Sequence, residues 1–260
     1  MLKIFKYSVY DLLRSRWSYI YFGFYFVFTT SLLFLSGDVS KIVISLINVL
    51  LILCPLIATM FGVMYYYNSR EFVELLLAQP IKRSSVFLGQ YLGVACSLSV
   101  SLLLGIGVPF LIYGILVSSA IWNFFMLLVI GVTLSFIFSA IAFWIALRNE
   151  NRIKGFGLAI LAWLFFAIIY DGIFLLSMIV FNDYPLEQFA LGASIFNPID
   201  LSRILILLKL DISALMGYTG AIFKQFFGSN NGMIISFTVL TTWIFLPILA
   251  IRRLVSKKDF

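Results

Sequence analysis

The chain has 260 residues, of which 63% are hydrophobic and 11% charged, with a net charge of +7 and no histidine. That is the composition of a polytopic membrane protein, and it leaves no polar domain that could present a basic face to nucleic acid. The missing histidine removes the commonest general base and the commonest metal ligand.

In residues 1–16, Leu2, Phe5, Val9 and Leu12 fall on one helical face and Lys3, Lys6, Arg14 and Arg16 fall elsewhere. This pattern predicts a helix lying in the membrane interface. The first apolar run, 17–35, follows these basic residues and no small-residue cleavage site, so a retained span is expected rather than a signal peptide. Further apolar runs cover 42–67, 86–116, 121–147, 155–181 and 233–254. Each of the six can cross about 30 Å of hydrocarbon as a helix. An all-α integral membrane fold of one domain is therefore expected, with six transmembrane helices.

Between the second and third runs stands the most charged internal stretch, 68–91. Asn68 can cap a helix that has Glu71 three positions on, and Pro80 ends it, which predicts a short helix over 69–79. Phe72, Leu75, Leu76 and Gln79 share one face, with Arg70, Glu71, Glu74 and Ala78 towards the other. Ionised Arg70, Glu71 and Glu74 are too costly inside hydrocarbon, so this helix belongs at a membrane surface.

The third run carries Gly89 and Gly93, spaced for close approach of another backbone, then Ser97, Ser99 and Ser101, and then Gly105, Gly107 and Pro109. The fourth has Gly131, Ser135 and Ser139. Close helix packing and a solute pathway both account for these small residues. Cys54 and Cys96 sit inside apolar runs and read as apolar side chains. Met60 and Met64 are one turn apart, but Cys54 is off their face, so no metal site is expected.

Asp171 is the one carboxylate inside an apolar run, which makes it a pathway candidate. The other reading is a structural hydrogen bond, to Tyr170 or to a serine of a neighbouring span. Residues 182–231 form a long polar-flanked segment that predicts a helical hairpin before the last run. In it, Asn197 as cap, Pro198 at the first position and Asp200 at the third predict a helix to about residue 208, and a second helix is expected over 213–227. Such helices either close over the chain's own spans as a lid or dock a partner, with Asn197, Asp200, Arg203 and Lys209 supplying the polar side of a docking platform.

Fourteen of the eighteen Lys and Arg residues fall on one side if both termini are cytoplasmic, against Lys41, Arg203, Lys209 and Lys224 on the other. The positive-inside rule then predicts cytoplasmic termini, a cytoplasmic helix at 69–79 and an external 182–231 segment. No Gly-x-x-x-x-Gly-Lys-[Ser/Thr] loop is present, and no carboxylate pair or nucleophile with its base stands ready for catalysis. The expectation is a transporter subunit rather than an enzyme.

The run Glu74-Leu75-Leu76-Leu77-Ala78-Gln79-Pro80-Ile81, then Arg83, then Phe87-Leu88-Gly89, resembles the signature of type-2 ABC exporter membrane subunits. Arg152 with Gly155, Gly157, Trp163-Leu164 and Tyr170-Asp171, and later Phe196-Asn197-Pro198-Ile199-Asp200-Leu201-Ser202-Arg203, are similar to the NosY type of permease. That type serves copper-site assembly of nitrous oxide reductase. The chain departs from the pattern at Phe72-Val73, where the family often has Gly-Thr, and at Gln90, where it often has Lys.

The resemblance implies a homodimer in the bacterial inner membrane, joined to a separate cytoplasmic ABC ATPase that holds the ATP and Mg. It makes Arg70, Glu71, Glu74, Gln79 and Arg83 the residues that couple to that ATPase, with no cofactor in this chain. It also implies a periplasmic maturation protein as an external partner, with lipid, peptide or drug export as the alternative purpose.

Overall fold

The computed structural model describes residues 1–36, 39–115, 121–181, 187–209 and 230–257, and no strand occurs among them. The helices are α1 (Leu2–Leu13), α2 (Arg16–Leu35), α3 (Val39–Asn68), α4 (Arg70–Leu77), α5 (Arg83–Ile112), α6 (Ile121–Arg148), α7 (Arg152–Leu164), α8 (Tyr170–Val180), α9 (Glu187–Phe196), α10 (Pro198–Lys209) and α11 (Asn230–Lys257). A π-helical turn, Phe165–Ile169, joins α7 to α8. Six helices among the described residues are long and apolar enough to cross a membrane: α2, α3, α5, α6, the α7–α8 run Arg152–Val180, and α11. The expected second external helix at 213–227, with Lys224, lies outside the described residues, as does the side chain of Lys209.

The centre of the bundle is α3, α5 and α6, whose apolar stretches are mostly buried, whereas only 6% of the α7–α8 stretch is. Tyr91, Phe87, Phe110, Phe138 and Phe143 fill that centre. The most extensive packing joins α3 to α6, and α2 and α1 both lie along α5. Exposed Ile173, Leu175, Leu176, Ile179 and Val180 on α8 carry no penalty in lipid, which is as apolar as they are.

Tertiary packing corrects the expected face of α1. Ile4, Ser8 and Leu12 are buried, Phe5 and Val9 are only partly so, and Leu2 is exposed. The reason lies on α5: a Cβ at Gly93 would collide with that of Ser8, and one at Gly89 would meet Ile4 at 3.1 Å. The helix is seated on glycines of a neighbour, so its small Ser8, not its most apolar stripe, faces inward.

The expected face of α4 is corrected in the same way. Val73 is buried and Leu76 and Leu77 are partly buried, while Phe72, Leu75 and Gln79 are exposed. Asn68 is the last residue of α3 rather than a cap, and Ser69 makes the bend between the two helices. The helix stops at Leu77, two residues short of the expected end.

Helices α9 and α10 are bent by 114° around Asn197, beside the middle of the α7–α8 run. Residues Ile199, Leu201, Ile204, Leu205 and Ile206 of α10 are buried, and the helix packs on α6, α3 and α11 as well as on α9. Helix α10 is thus packed among the spans.

Candidate functional site

Two separate clusters of chemistry-bearing residues stand out, one around α4 and one between α8 and α10. The first surrounds α4. Its charged side is open: Arg70, Glu71 and Glu74 are exposed, Arg70 Nε donates to Glu74 Oε1 at 3.1 Å, and Leu75 beside them is 71% exposed. Gln79 and Arg83 are also exposed, at the turn that leads into α5. Phe72 stacks on Tyr7 of α1 with ring centroids 4.9 Å apart. Val73 anchors the helix inward, so α4 offers two acids, a base and an apolar knob away from the spans.

The same region is braced by Tyr67, the penultimate residue of α3. Its hydroxyl donates to the Asn149 carbonyl at 2.6 Å, in the turn between α6 and α7. Asn151 caps α7, accepting from the Ile153 and Lys154 amides at 2.9 and 3.3 Å. A little deeper, Trp163 Nε1 donates to the Ile52 carbonyl at 3.1 Å, next to the place where Pro55 leaves a gap in the α3 ladder.

The second cluster joins α8 to α10. Asp171, about 28 Å along the helix from Arg152 at 1.5 Å per residue, is paired with Arg203, whose Nη1 lies 2.9 Å from Asp171 Oδ2 and 3.1 Å from Asp200 Oδ1. Fully buried Asn197 completes the group. Its Nδ2 donates to Asp200 Oδ2 and to the Phe166 carbonyl, both at 2.9 Å, and its Oδ1 accepts from the Ile199 amide at 3.0 Å. Phe166 lies in the π turn, so the side chain at the α9–α10 bend satisfies a carbonyl of an irregular segment.

These contacts revise two expectations. Asp171 pairs with Arg203 of α10 and not with Tyr170, whose hydroxyl donates to the Ala193 carbonyl at 2.6 Å. Asn197, Asp200 and Arg203, expected on the polar side of a docking platform, direct polar atoms onto Asp171 and onto one another. The physical reason is that an acid at this depth needs a partner, and the bend at Asn197 brings one within reach.

An apolar groove of about 420 Å³ runs between α2, α3 and α7, lined by Trp17, Phe24, Met60, Phe61, Met64 and Phe156 among others. Both methionines face it. Cys54 is elsewhere, donating to the Gly131 carbonyl at 3.4 Å and lying 3.2 Å from Ser135 Oγ.

No protein-family model matches the chain. It is similar to the probable ABC transporter permease protein NosY of Stutzerimonas stutzeri, at 26% identity over 196 residues, 73% of this chain. The chain resembles an ABC transporter permease. The match spans 65% of the length of that curated relative.

Beside the residues expected from sequence, this permease-like chain uses several that sequence reasoning missed. Gln90 and Ser69 join α5 to the bend before α4, Nε2 donating to Oγ at 2.9 Å. The only signal for Gln90 was its departure from the family pattern. Nothing in the run Phe165–Ile169 announced a π turn, because all five residues suit any apolar helix.

Proposed function

We propose that this chain is the membrane-spanning permease subunit of an ATP-driven ABC exporter. In this reading it works as a homodimer in the bacterial inner membrane, with both termini cytoplasmic and a separate cytoplasmic ATPase that binds ATP and Mg. The observation that carries the reading is α4, a short helix between two spans that buries Val73 and presents Arg70, Glu71, Glu74 and Leu75 outward. A helix held on the inside and charged on the outside suits reception of force from a soluble partner. Nucleotide-driven closure of two ATPases would then tilt the spans as rigid bodies.

In this proposal the purpose is copper-site assembly of nitrous oxide reductase, with a periplasmic maturation protein receiving the exported species, a reading that rests on the resemblance of the Arg152–Asp171 and Phe196–Arg203 motifs to the NosY type. Asp171, Asn197, Asp200 and Arg203 act in this proposal as a clamp that holds the lid against α8. The apolar groove between α2, α3 and α7 favours a second reading, export of a lipid, peptide or drug, because its lining suits an apolar molecule.

Capture tests the central claim. The tagged chain in nanodiscs should retain an ABC ATPase subunit co-expressed with it, and the complex should hydrolyse ATP. A folded chain that captures no such subunit and supports no hydrolysis would sink the permease reading. For the purpose, a strain lacking the chain should produce copper-deficient nitrous oxide reductase, and a fully loaded enzyme would leave the efflux reading in its place.

A further inference from the structure

Gln90 is an amide in a place where an amide is costly. Only 1% of it is exposed, and its Oε1 is buried without a hydrogen-bond partner among the described residues. A leucine would fill the same space without leaving an acceptor unsatisfied, so the cost of this side chain has to be set against the one bond it makes.

That bond goes to the bend between α3 and α4. Ser69 sits there with φ −92° and ψ 6°, and its hydroxyl does not cap α4. It donates back to the Tyr65 carbonyl at 2.7 Å and accepts from Gln90 Nε2 at 2.9 Å. The bend is thereby fastened to α3 on one side and to α5 on the other.

The surroundings close the arrangement into a triangle. The glycines at 89 and 93, on either side of Gln90, receive Ile4 and Ser8 of α1. Tyr7 of the same α1 stacks on Phe72 of α4. Each of the three elements touches the other two, and Gln90–Ser69 is the polar side of the triangle.

We infer that Gln90 is the positioning residue of the surface helix, tying the Ser69 bend to α5 so that α1, α4 and the foot of α5 move as one body. Its role in transmitting force rests on the permease reading, whereas its hold on α4 does not. Loss of the bond leaves α4 attached through Val73 and Phe72 but free to swing about Ser69.

Hydrogen–deuterium exchange on the full chain in nanodiscs, with no ATPase present, tests the hold. Gln90→Leu should raise exchange of the α4 amides about fivefold, the effect of one neutral hydrogen bond, with α6 unchanged. Ser69→Ala, a smaller change that keeps the chain foldable, should do the same, and the double variant should go no further than either alone. Unchanged α4 exchange in Ser69→Ala, or effects that add, would overturn the inference. Capture of the ATPase is measured separately. If the wild-type chain captures none, the permease reading fails while the exchange result stands. If wild type captures it, Gln90→Leu should weaken capture about fivefold at an unchanged unfolding temperature, and equal capture would refute the role in transmission.

Discussion

Two arginine–carboxylate contacts in different parts of the bundle set the same chemistry in different surroundings. Arg70 and Glu74 pair at 3.1 Å one turn apart on α4, with side chains 52% and 58% exposed. Arg203 pairs with Asp171 at 2.9 Å across two helices, at 34% and 27% exposure, and takes in Asp200, which is 13% exposed. An exposed pair of the first kind contributes about 0.3–0.5 kcal/mol and releases its charges readily to a partner. Breaking a partly desolvated group of the second kind leaves acids facing one another with little water, and costs several times more. The difference separates an open pair on a surface helix from a partly desolvated group that joins two helices.

The largest expected effect comes from removing the shared cation. Arg203→Ala should destabilise the chain by about 2 kcal/mol, lowering the unfolding temperature in detergent by about 6 °C, because Asp171 and Asp200 lose their common donor. Asp171→Asn should cost about half as much, since the amide keeps the shape and Asp200 keeps the guanidinium. An unfolding temperature within 1 °C of wild type for Arg203→Ala, on the scale of about 2–4 °C per kcal/mol, would erase the distinction between the two pairs.

Asn197→Ala sharpens the same contrast by removing a neutral side chain and leaving the Arg203 pairs in place. It removes the cap of α10, the bond to Asp200 and the bond to the Phe166 carbonyl. The expected loss is about 1–2 kcal/mol, with faster amide exchange confined to the π turn and α10. Exchange that rises equally in α3 and α6 would mean that Asn197 supports the whole bundle and not the lid alone.

Glu74→Lys should have the smallest effect on folding, under about 0.5 kcal/mol. Its consequence belongs to association: reversing the exposed charge beside Arg70 and Leu75 should weaken ATPase capture and stimulation while the chain remains inserted. Wild-type values for both would remove α4 from the coupling role.

Much of this fold could be read along the chain, because a bilayer imposes its length on every helix that crosses it. The six apolar runs needed only composition and about 20 residues each to be recognised. The start of α10 was legible too, since Asn197, Pro198 and Asp200 meet a local backbone demand with local side chains. What could not be read was the direction in which side chains turn. Leu2 shares the apolar stripe of α1 and is exposed, while Ser8 lies off that stripe and is buried, because the choice was made by glycines some eighty residues away on α5. In a medium as oily as the side chains, apolar character does not decide which face of a helix is inside; close steric fit does.

The same division runs through the candidate sites. Sequence by itself determined that Arg70, Glu71 and Glu74 lie at a surface and that Asp171 needs a partner, because the cost of an ion in hydrocarbon depends only on residue type and depth. Only the tertiary structure decided that the partner is Arg203, thirty-two residues on, and that the amide of Gln90 reaches Ser69, twenty-one residues back. Those pairings depend on the 114° bend at Asn197 and on how closely α1 and α5 approach. Hydrogen bonds act over about 3 Å, so a pairing across the chain is set by where the packed helices place two side chains, not by the spacing between them in sequence.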